Sequence, residues 1–285
     1  MKKTGKSRIT RSLTANVAIF FFLGLMGLFT AIPLLYAILN SFKPINEIFL
    51  YPPRFFVQNP TLLNYQQLIK LGQDMLVPFE RYVFNSLFVS AVTTVVYLII
   101  ASMAGFALAK FKFFGGVIIF QVVVFAILFR PEVTAIPQYN ILSSLNMIDT
   151  YWALIFPALS GSFGVFLMRQ FMSAIPDEIL EAAQIDGADE FKTFRKIVMP
   201  MVKPAWLTLS VFTFQGIWNA TGIQYIYTEN MKMLPTALAQ VSTAGIARAG
   251  VASAIAVFLM IPPIVLFIVS QNSIMETMSH SGLKG

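Results

Sequence analysis

Six apolar runs dominate the sequence, and each is close to or above the length of about 20 residues that a helix needs to cross a bilayer. The runs are 14–39, 83–108, 113–130, 151–172, 204–222 and 250–270. No water is present inside a bilayer to satisfy backbone N–H and C=O groups, so helices, which satisfy them internally, are expected. The sequence therefore predicts an all-α, polytopic membrane protein with six transmembrane helices.

Charged residues are too scarce to cover a water-soluble domain of this size. They make up 12% of 285 residues, whereas soluble domains carry about 25%. The chain has no Cys and a single His, His280, which excludes thiol chemistry, a histidine-rich metal site and a Ser-His-Asp triad. It also lacks the glycine-rich loop, ending in Gly-Lys-Ser/Thr, that binds nucleotide phosphates. We therefore expect no catalytic residue, no metal, no cofactor and no ATPase site.

The basic residues indicate which way the helices cross the membrane. If the N-terminus is inside, most of the 20 Lys and Arg residues fall on inner segments, which is the usual bias of membrane proteins. Five precede the first run: Lys2, Lys3, Lys6, Arg8 and Arg11. An even number of helices then places the C-terminus inside as well. The net charge of +7 thus indicates contact with membrane lipid rather than with nucleic acid.

The apolar runs divide the chain into a small number of segments. We expect a basic cytoplasmic N-terminus (1–13), a first transmembrane helix (14–39), an extracytoplasmic segment (40–82), a core of five transmembrane helices (83–270) with a cytoplasmic loop (173–203), and a cytoplasmic tail (271–285).

The loop 173–203 is a polar island between the fourth and fifth runs. Pro176 and Asp177 are typical of a helix start. Gly187 is typical of a helix end, because glycine readily adopts the left-handed conformation required there. We therefore predict a short helix over 177–186.

Apolar residues within the island predict two amphipathic faces. The face predicted for the short helix consists of Ile179, Ala182 and Ala183, at spacings of three and four. A second apolar strip leads back to the membrane and consists of Phe191, Phe194 and Ile197.

The island also carries a spaced pattern that resembles the EAA loop of ABC importer permeases. The matching residues are Glu181, Ala182, Ala183, Gly187, Ile197 and Pro200, with Met199 in place of the usual Leu. Shorter stretches, such as Ser41-Phe42-Lys43-Pro44, Asn85-Ser86 and Trp218-Asn219, extend the likeness over most of the chain. Together they resemble the second permease subunit of carbohydrate ABC importers, of the maltose-permease type. The alternative is an ordinary interfacial helix between two spans.

This resemblance implies a type I ABC importer permease bundle in a bacterial plasma (inner) membrane, with both termini cytoplasmic. It implies four kinds of partner: a homologous second permease subunit, two ABC ATPase subunits, an extracytoplasmic sugar-binding protein and membrane lipid. The helix over 177–186 becomes the cytoplasmic EAA coupling helix, in which Glu181 pairs with a basic residue of the ATPase while Ala182 and Ala183 pack in its cleft. The full set implied for ATPase coupling is Glu181, Ala182, Ala183, Asp186, Gly187, Ile197 and Pro200.

Polar and aromatic residues near the outer end of the fifth run are candidates for the substrate path, because polar groups inside membranes are costly without a role. They are Gln215, Trp218, Asn219 and Tyr225. Hydrogen bonding between helices is an alternative role for Gln215. The outer loop 223–249 is expected to contact the binding protein, with a plain connector as its alternative.

The resemblance implies the permease subunit of an ATP-driven, binding-protein-dependent importer of a sugar or oligosaccharide. The alternatives are an ABC importer permease for a non-sugar solute, or a membrane scaffold or enzyme. An enzyme is expected to place clusters of His, Asp or Glu inside the membrane, and the apolar runs contain no such cluster.

Overall fold

The computed structural model describes residues 13–73, 77–242 and 248–281, and every regular element within these ranges is helical. The α-helices are α1 (Leu13–Ser41), α2 (Ile45–Ile48), α3 (Leu63–Gln73), α4 (Phe79–Lys110), α5 (Gly116–Ala126), α6 (Pro131–Ser144), α7 (Trp152–Leu159), α8 (Ser162–Ser173), α9 (Asp177–Ile185), α10 (Glu190–Thr193), α11 (Met199–Met201), α12 (Lys203–Trp218), α13 (Leu234–Ser242) and α14 (Ala249–Ser281). The predicted all-α fold is confirmed. The basic residues before Leu13, the chain end after Ser281 and the side chain of His280 lie outside the description.

The chain divides into two compact units. The first contains the chain up to Ile69 together with a segment that ends at Val257, and the second contains the chain from Lys70 to Thr243 and from Phe258 onward. In the first unit, α1 is an apolar helix whose most hydrophobic window is 0% buried. Its environment is therefore lipid or another chain.

A compact cap follows α1 in the first unit. Asn64 on α3 donates hydrogen bonds to the carbonyls of Ser41 and Lys43, both at 2.8 Å. The hydroxyls of Ser41 and Tyr65 lie 2.8 Å apart, and Thr61 N–H donates to Phe42 C=O at 2.8 Å. These contacts fix the segment after α1 to the end of that helix.

Within the described ranges, three helices are long and apolar enough to cross a membrane alone: Thr14–Ser41, Phe79–Lys110 and Ala249–Gln271. Two bent pairs add one crossing each if each pair is a single span, α7 with α8 at 40° and α10–α11 with α12 at 79°. The third predicted span, 113–130, contains only the 11-residue α5, about 16 Å long against a hydrocarbon core of about 30 Å. The count of six therefore stays a prediction.

The fourth predicted span is broken between α7 and α8, and a tyrosine from α4 binds the backbone at the break. Tyr97 Oη donates to Gly161 C=O at 2.6 Å and accepts from Gly164 N–H at 2.7 Å. Both contacts satisfy groups that α7 and α8 leave free between them, as lipid requires. A Cβ on Gly164 would lie 2.5 Å from the Tyr97 hydroxyl, so glycine is needed for this close approach.

The core of the second unit surrounds α4. Its main cluster brings together side chains of α4, α8, α9 and α12, and extends to the π-helical turn Phe194–Val198. The fully buried members with less than 1% exposure are Ala101, Met168, Met172, Val198 and Ala205. The polar island is thus packed against the same helix that forms the centre of the bundle.

Candidate functional site

A helix lies where the sequence predicted one in the polar island. Helix α9 begins at Asp177, directly after Pro176, and ends at Ile185. Gly187 has φ +78°, its N–H donates to Gln184 C=O at 3.0 Å, and Ala188 N–H donates to Ala183 C=O at 2.9 Å. These two bonds form the Schellman arrangement that closes a helix through a left-handed residue.

The buried face of α9 differs from the predicted one. Leu180 and Ala183 face the core, with 9% and 6% exposure, whereas Ala182 is exposed and Ile179 is 37% exposed. The predicted shared face is therefore divided, because Ala183 packs against its own chain while Ala182 faces outward. Their contact with the ATPase cleft stays a prediction. The exposed side carries Glu181, Ala182 and Asp186 instead.

One ion pair links α9 to the end of α4. Lys110 Nζ lies 2.6 Å from Asp177 Oδ1 and also donates to Ile175 C=O. The Lys110 side chain is 7% exposed and that of Asp177 is 76% exposed. The hydrogen bond and charge of Lys110 hold the pKa of Asp177 below its ordinary value. This contact fixes the start of α9 to the last turn of α4.

Glu181 lies at an open cavity of ≈ 360 Å³ between α9 and the end of α4. The cavity is also lined by Lys110, Lys112 and Glu190. Glu181 is exposed there, so its carboxylate is accessible to a basic group of another chain.

The second half of the island bends back through a π-helical turn. Met199 N–H donates to Phe194 C=O, which closes a five-residue turn directly before Pro200. Because Pro200 has no N–H, the normal helical bond is missing at this point. The Phe194 ring lies 5.3 Å from the Phe106 ring, and Ile197 is half-buried, whereas Phe191 is 62% exposed. The predicted apolar strip therefore includes two packed residues and one exposed residue.

The structure separates the four candidates for the substrate path. Trp218 is 1% exposed, and its indole N–H donates to Leu259 C=O at 2.9 Å. In this structure the ring packs α12 against α14, and its placement on the substrate path stays a prediction. Gln215 in the last turn of α12 and Asn219 directly after the helix are both exposed, and the Asn219 amide donates to Gln215 C=O at 3.0 Å.

Tyr225 lines a second cavity, of ≈ 270 Å³. Its hydroxyl donates to Gln138 Oε1 at 3.2 Å, and its ring stacks on Tyr139 with centroids 6.4 Å apart. Gln138 and Gln224 also line the cavity. An aromatic ring beside amide groups suits a hydroxyl-rich solute. The sequence analysis singled out no residue of α6, which carries Gln138 and Tyr139.

Asp149 holds the turn that carries Tyr225. It has φ +62°, its N–H donates to Tyr225 C=O, and its carboxylate accepts the N–H groups of Tyr227 and Thr228 at 2.9 and 2.8 Å. The Thr228 hydroxyl donates to the same carboxylate. These bonds, the hydroxyl first, hold the pKa of Asp149 below its ordinary value.

Asn85 has a role that the sequence did not reveal. Its amide donates to the carbonyls of Asn230 and Lys232, both at 2.9 Å, and it accepts the Tyr151 hydroxyl at 2.6 Å. The neighbouring Ser86 accepts Leu234 N–H at 2.8 Å. The first turns of α4 thus hold residues 230–234 of the outer loop. The part of this loop over 243–247 lies outside the described residues.

Among the residues that the structure describes, no group of three His, Cys, Asp or Glu residues is placed to hold a metal ion. The second unit instead offers two open cavities, one beside Glu181 at the end of α4 and one lined by Tyr225, Gln138 and Gln224.

A sequence profile described as "Binding-protein-dependent transport system inner membrane component" matches residues 87–279. The chain is 28% identical over 268 residues to an arabinooligosaccharides transport system permease protein of Halalkalibacterium halodurans, covering 93% of this chain and 94% of the relative. It is 31% identical over 205 residues to an sn-glycerol-3-phosphate transport system permease protein of Brucella abortus, covering 71% and 73%.

A solved structure with a similar fold is a bacterial ABC transporter involved in the import of the acidic polysaccharide alginate. The TM-score is 0.78 at 20% sequence identity, and the alignment covers 93% of this chain and 99% of that one. At this identity the likeness concerns the fold.

Proposed function

Because the chain belongs to the family of binding-protein-dependent transport system inner membrane components, we propose that it is the permease subunit of an ATP-driven importer of a sugar or oligosaccharide. The chain is a membrane transporter subunit and not an enzyme. The observation that carries the proposal is the family match over residues 87–279, which includes both α9 and the Tyr225 cavity.

The cavity chemistry supports a sugar rather than a phosphorylated solute. Its lining combines Tyr225 with Gln138 and Gln224, and none of the residues that line it is Lys or Arg. A phosphate-bearing cargo is usually met by basic groups. The second candidate, a non-sugar solute such as a glycerol phosphate, is favoured by the Brucella abortus relative. Gln215 and Asn219, exposed at the end of α12, belong to the same proposed path.

The exposed side of α9 is the proposed contact with the ATPase subunits. Glu181 offers a carboxylate, and Ala182 allows close approach of another surface. The conformation of the polar island is set by Ala183, Gly187, Ile197 and Pro200. Asp186 follows directly after the last residue of α9. Helix α9 is held in a cleft of the ATPase and is packed against α4. When nucleotide binding closes the ATPase subunits, α9 moves with the cleft and passes the movement to the helix bundle.

The proposed assembly places α9 and both termini in the cytoplasm. A second permease subunit pairs with this chain, two ABC ATPases bind α9 and its counterpart, and a sugar-binding protein docks on the outer loop 223–249. The excess of basic residues on the inner segments supports this orientation. Because the chain has no Cys, single cysteines at exposed Asp189 and Tyr227 report the two sides. If position 189 were labelled only from outside, the proposed orientation would be rejected.

Transport by the reconstituted assembly tests the proposal. The chain, its companion permease, the ATPases and the binding protein are placed in proteoliposomes, and ATP-dependent uptake of labelled oligosaccharides and of sn-glycerol 3-phosphate is compared. We expect oligosaccharide uptake alone. Uptake of the phosphate alone would select the second candidate, and uptake of neither with an active binding protein would reject both.

Glu181→Gln tests the coupling contact in the same assay. It removes the carboxylate's charge from an exposed position, so membrane insertion stays intact while uptake and substrate-stimulated ATP hydrolysis fall together. Glu178→Gln, on the same helix, is the matched control. Equal effects of both variants would mean that the loss reflects surface charge and not a specific contact.

A further inference from the structure

A cluster of exposed apolar side chains follows α1 in the first unit. Its members are Phe49, Leu50, Tyr51, Phe55 and Phe56, with Tyr51 94% and Phe56 73% exposed. We refer to residues 49–56 as the aromatic finger. Contiguous apolar patches on protein surfaces mark contact with another protein or with a membrane.

The charged groups next to the finger are paired within the first unit. Lys43 is 2% exposed, donates to Arg54 C=O at 2.6 Å and lies 5.2 Å from the centre of the Tyr36 ring. Glu47 is 4% exposed and accepts Gln58 N–H at 2.8 Å, and Arg54 donates to the Gln58 side chain. Because Lys43 and Glu47 are already buried and hydrogen-bonded, moving the finger into a less polar environment costs little further desolvation of these two groups, while the exposed Arg54 keeps its charge at the polar side.

The position of the finger along α1 is fixed by an aromatic contact. The Phe55 ring lies 5.9 Å from the Tyr36 ring, and Phe55 also contacts Phe56 at 5.3 Å. Tyr36 lies one to two turns before the end of α1 at Ser41, about 7.5 Å along the axis. The finger therefore folds back beside the end of a membrane-spanning helix instead of extending away from it.

We propose that the aromatic finger lies in the headgroup region of the bilayer and binds phospholipid as an interfacial anchor for α1. Tyr side chains are favoured at that depth, because the ring is apolar and the hydroxyl reaches water. The membrane-spanning window of α1 is 0% buried, so contacts within the chain do not set its depth. The finger supplies a contact with the headgroup region that sets the depth of α1. It does so at the helix end marked by Ser41, whichever side of the membrane this end occupies.

The second permease subunit is the other possible occupant of this surface. Lipid is favoured because the finger continues directly from a helix that has a lipid-compatible surface all round, through the contact between Tyr36 and Phe55. Arg54 is the single charged residue within 49–56, whereas protein interfaces carry a polar rim with specific hydrogen bonds.

A fluorescent reporter on the finger tests the proposal in the assembled transporter. A single cysteine replaces Leu50, leaving the aromatic residues intact, and carries an environment-sensitive dye. The assembly is placed in vesicles with doxyl-labelled phosphatidylcholine, quenching near the headgroup or near the chain end, and aqueous iodide is added separately. A dye at position 227, replacing exposed Tyr227, is the matched control.

We expect the dye at position 50 to be quenched about twofold more by the headgroup-proximal doxyl than by the chain-end doxyl, and to be protected from iodide. We expect the control dye at position 227 to be quenched by iodide and little by either doxyl lipid. Tyr51→Ser with Phe56→Ser then exposes the dye to iodide, whereas Tyr51→Trp with Phe56→Trp retains lipid quenching.

Two outcomes would overturn the anchor. Iodide quenching at position 50 equal to that at 227 would place the finger in water. Protection from both iodide and lipid quenchers, with photo-crosslinking from position 51 to the companion permease, would make it a subunit interface. Uptake of substrate by the same vesicles is measured independently, so a failed anchor leaves the proposed function untouched.

Discussion

The two ends of α4 hold their neighbouring loops by different physical means. Near Phe79, the buried side chains of Asn85 and Ser86 bind the backbone of residues 230–234 through hydrogen bonds with 0% exposure of both residues. Near Lys110, one ion pair reaches Asp177, whose side chain is 76% exposed. Buried neutral side chains make the shortest of these contacts with the outer loop, to which Arg81 adds a longer one at Asn230 C=O. The polar island is held by an ion pair whose carboxylate is open to water.

This difference predicts different responses to solution conditions. A buried network depends little on salt, and breaking it leaves unsatisfied groups that cost free energy. An ion pair with one partner open to water is screened by salt and contributes less than a fully buried pair. The outer loop is therefore fixed to the helix, whereas α9 depends mainly on its backbone cap and on the burial of Leu180. That arrangement suits a coupling element, which must change its contacts during transport.

Removing the Asn85 side chain gives the largest expected effect. Asn85→Ala removes the bond to Lys232 C=O and the acceptor of the Tyr151 hydroxyl, and leaves Asn230 C=O with Arg81 alone. We expect this to cost about 2 kcal/mol of the free energy of unfolding. Thermal unfolding in nanodiscs and protease cleavage within 230–234 measure the loss, which persists at high salt.

Thr94→Ala is the matched control on α4, because the Thr94 hydroxyl donates only to Ser90 C=O, one turn earlier on the same helix. Equal destabilisation by the two variants would mean that the outer network contributes no more than a local helix bond, and the contrast between the two ends of α4 would be lost.

The backbone cap of α9 is tested by an intermediate change. A Cβ on Gly187 meets no atom within 4 Å, but the residue has φ +78°, so Gly187→Ala costs about 1 kcal/mol through the left-handed conformation alone. Hydrogen exchange of α9 measures it. Gly216→Ala, where a Cβ also meets nothing, is the control. Unchanged exchange of α9 would show that the cap does not hold the helix.

The ion pair gives the smallest expected effect. Asp177→Asn removes the charge at an exposed position, so hydrogen exchange of α9 changes less than in Gly187→Ala. The difference between Asp177→Asn and the wild-type chain vanishes at high salt. Lys110 lowers the folded-state pKa of Asp177. The contribution of the ion pair to stability is therefore present above the unfolded-state pKa of Asp177, about 4, and is lost as the pH falls through its lower folded-state pKa. An effect larger than that of Gly187→Ala would reverse the ranking.

Local signals in the sequence predicted the polar island well. Pro176, Asp177 and Gly187 mark the ends of α9 because capping depends on residues close in the chain. The fold class followed from the apolar runs, and the family match agrees with the EAA pattern. These features depend on covalent neighbours or on solvent, and both can be read without a tertiary structure.

Side-chain directions could not be predicted in the same way. In water, apolar residues mark the buried face of a helix, but in lipid both faces are apolar and that contrast disappears. On α4 the pattern is inverted, since Phe84 and Phe88 are exposed while Asn85 and Ser86 are buried. Trp218 shows the same limit, because nothing local in the sequence distinguishes a ring that lines a cavity from one packed between helices.

The sequence by itself determined that this chain is a helical membrane protein, where its polar island begins and ends, and which family it belongs to. Only the tertiary structure decided that Tyr97 joins the broken pair α7 and α8, that Asn85 holds the outer loop, and that Ala183 faces inward. The physical reason is that the backbone must satisfy its hydrogen bonds everywhere in lipid, which fixes the helices. Partners for side chains depend on which helices meet, and residues distant in the chain supply them.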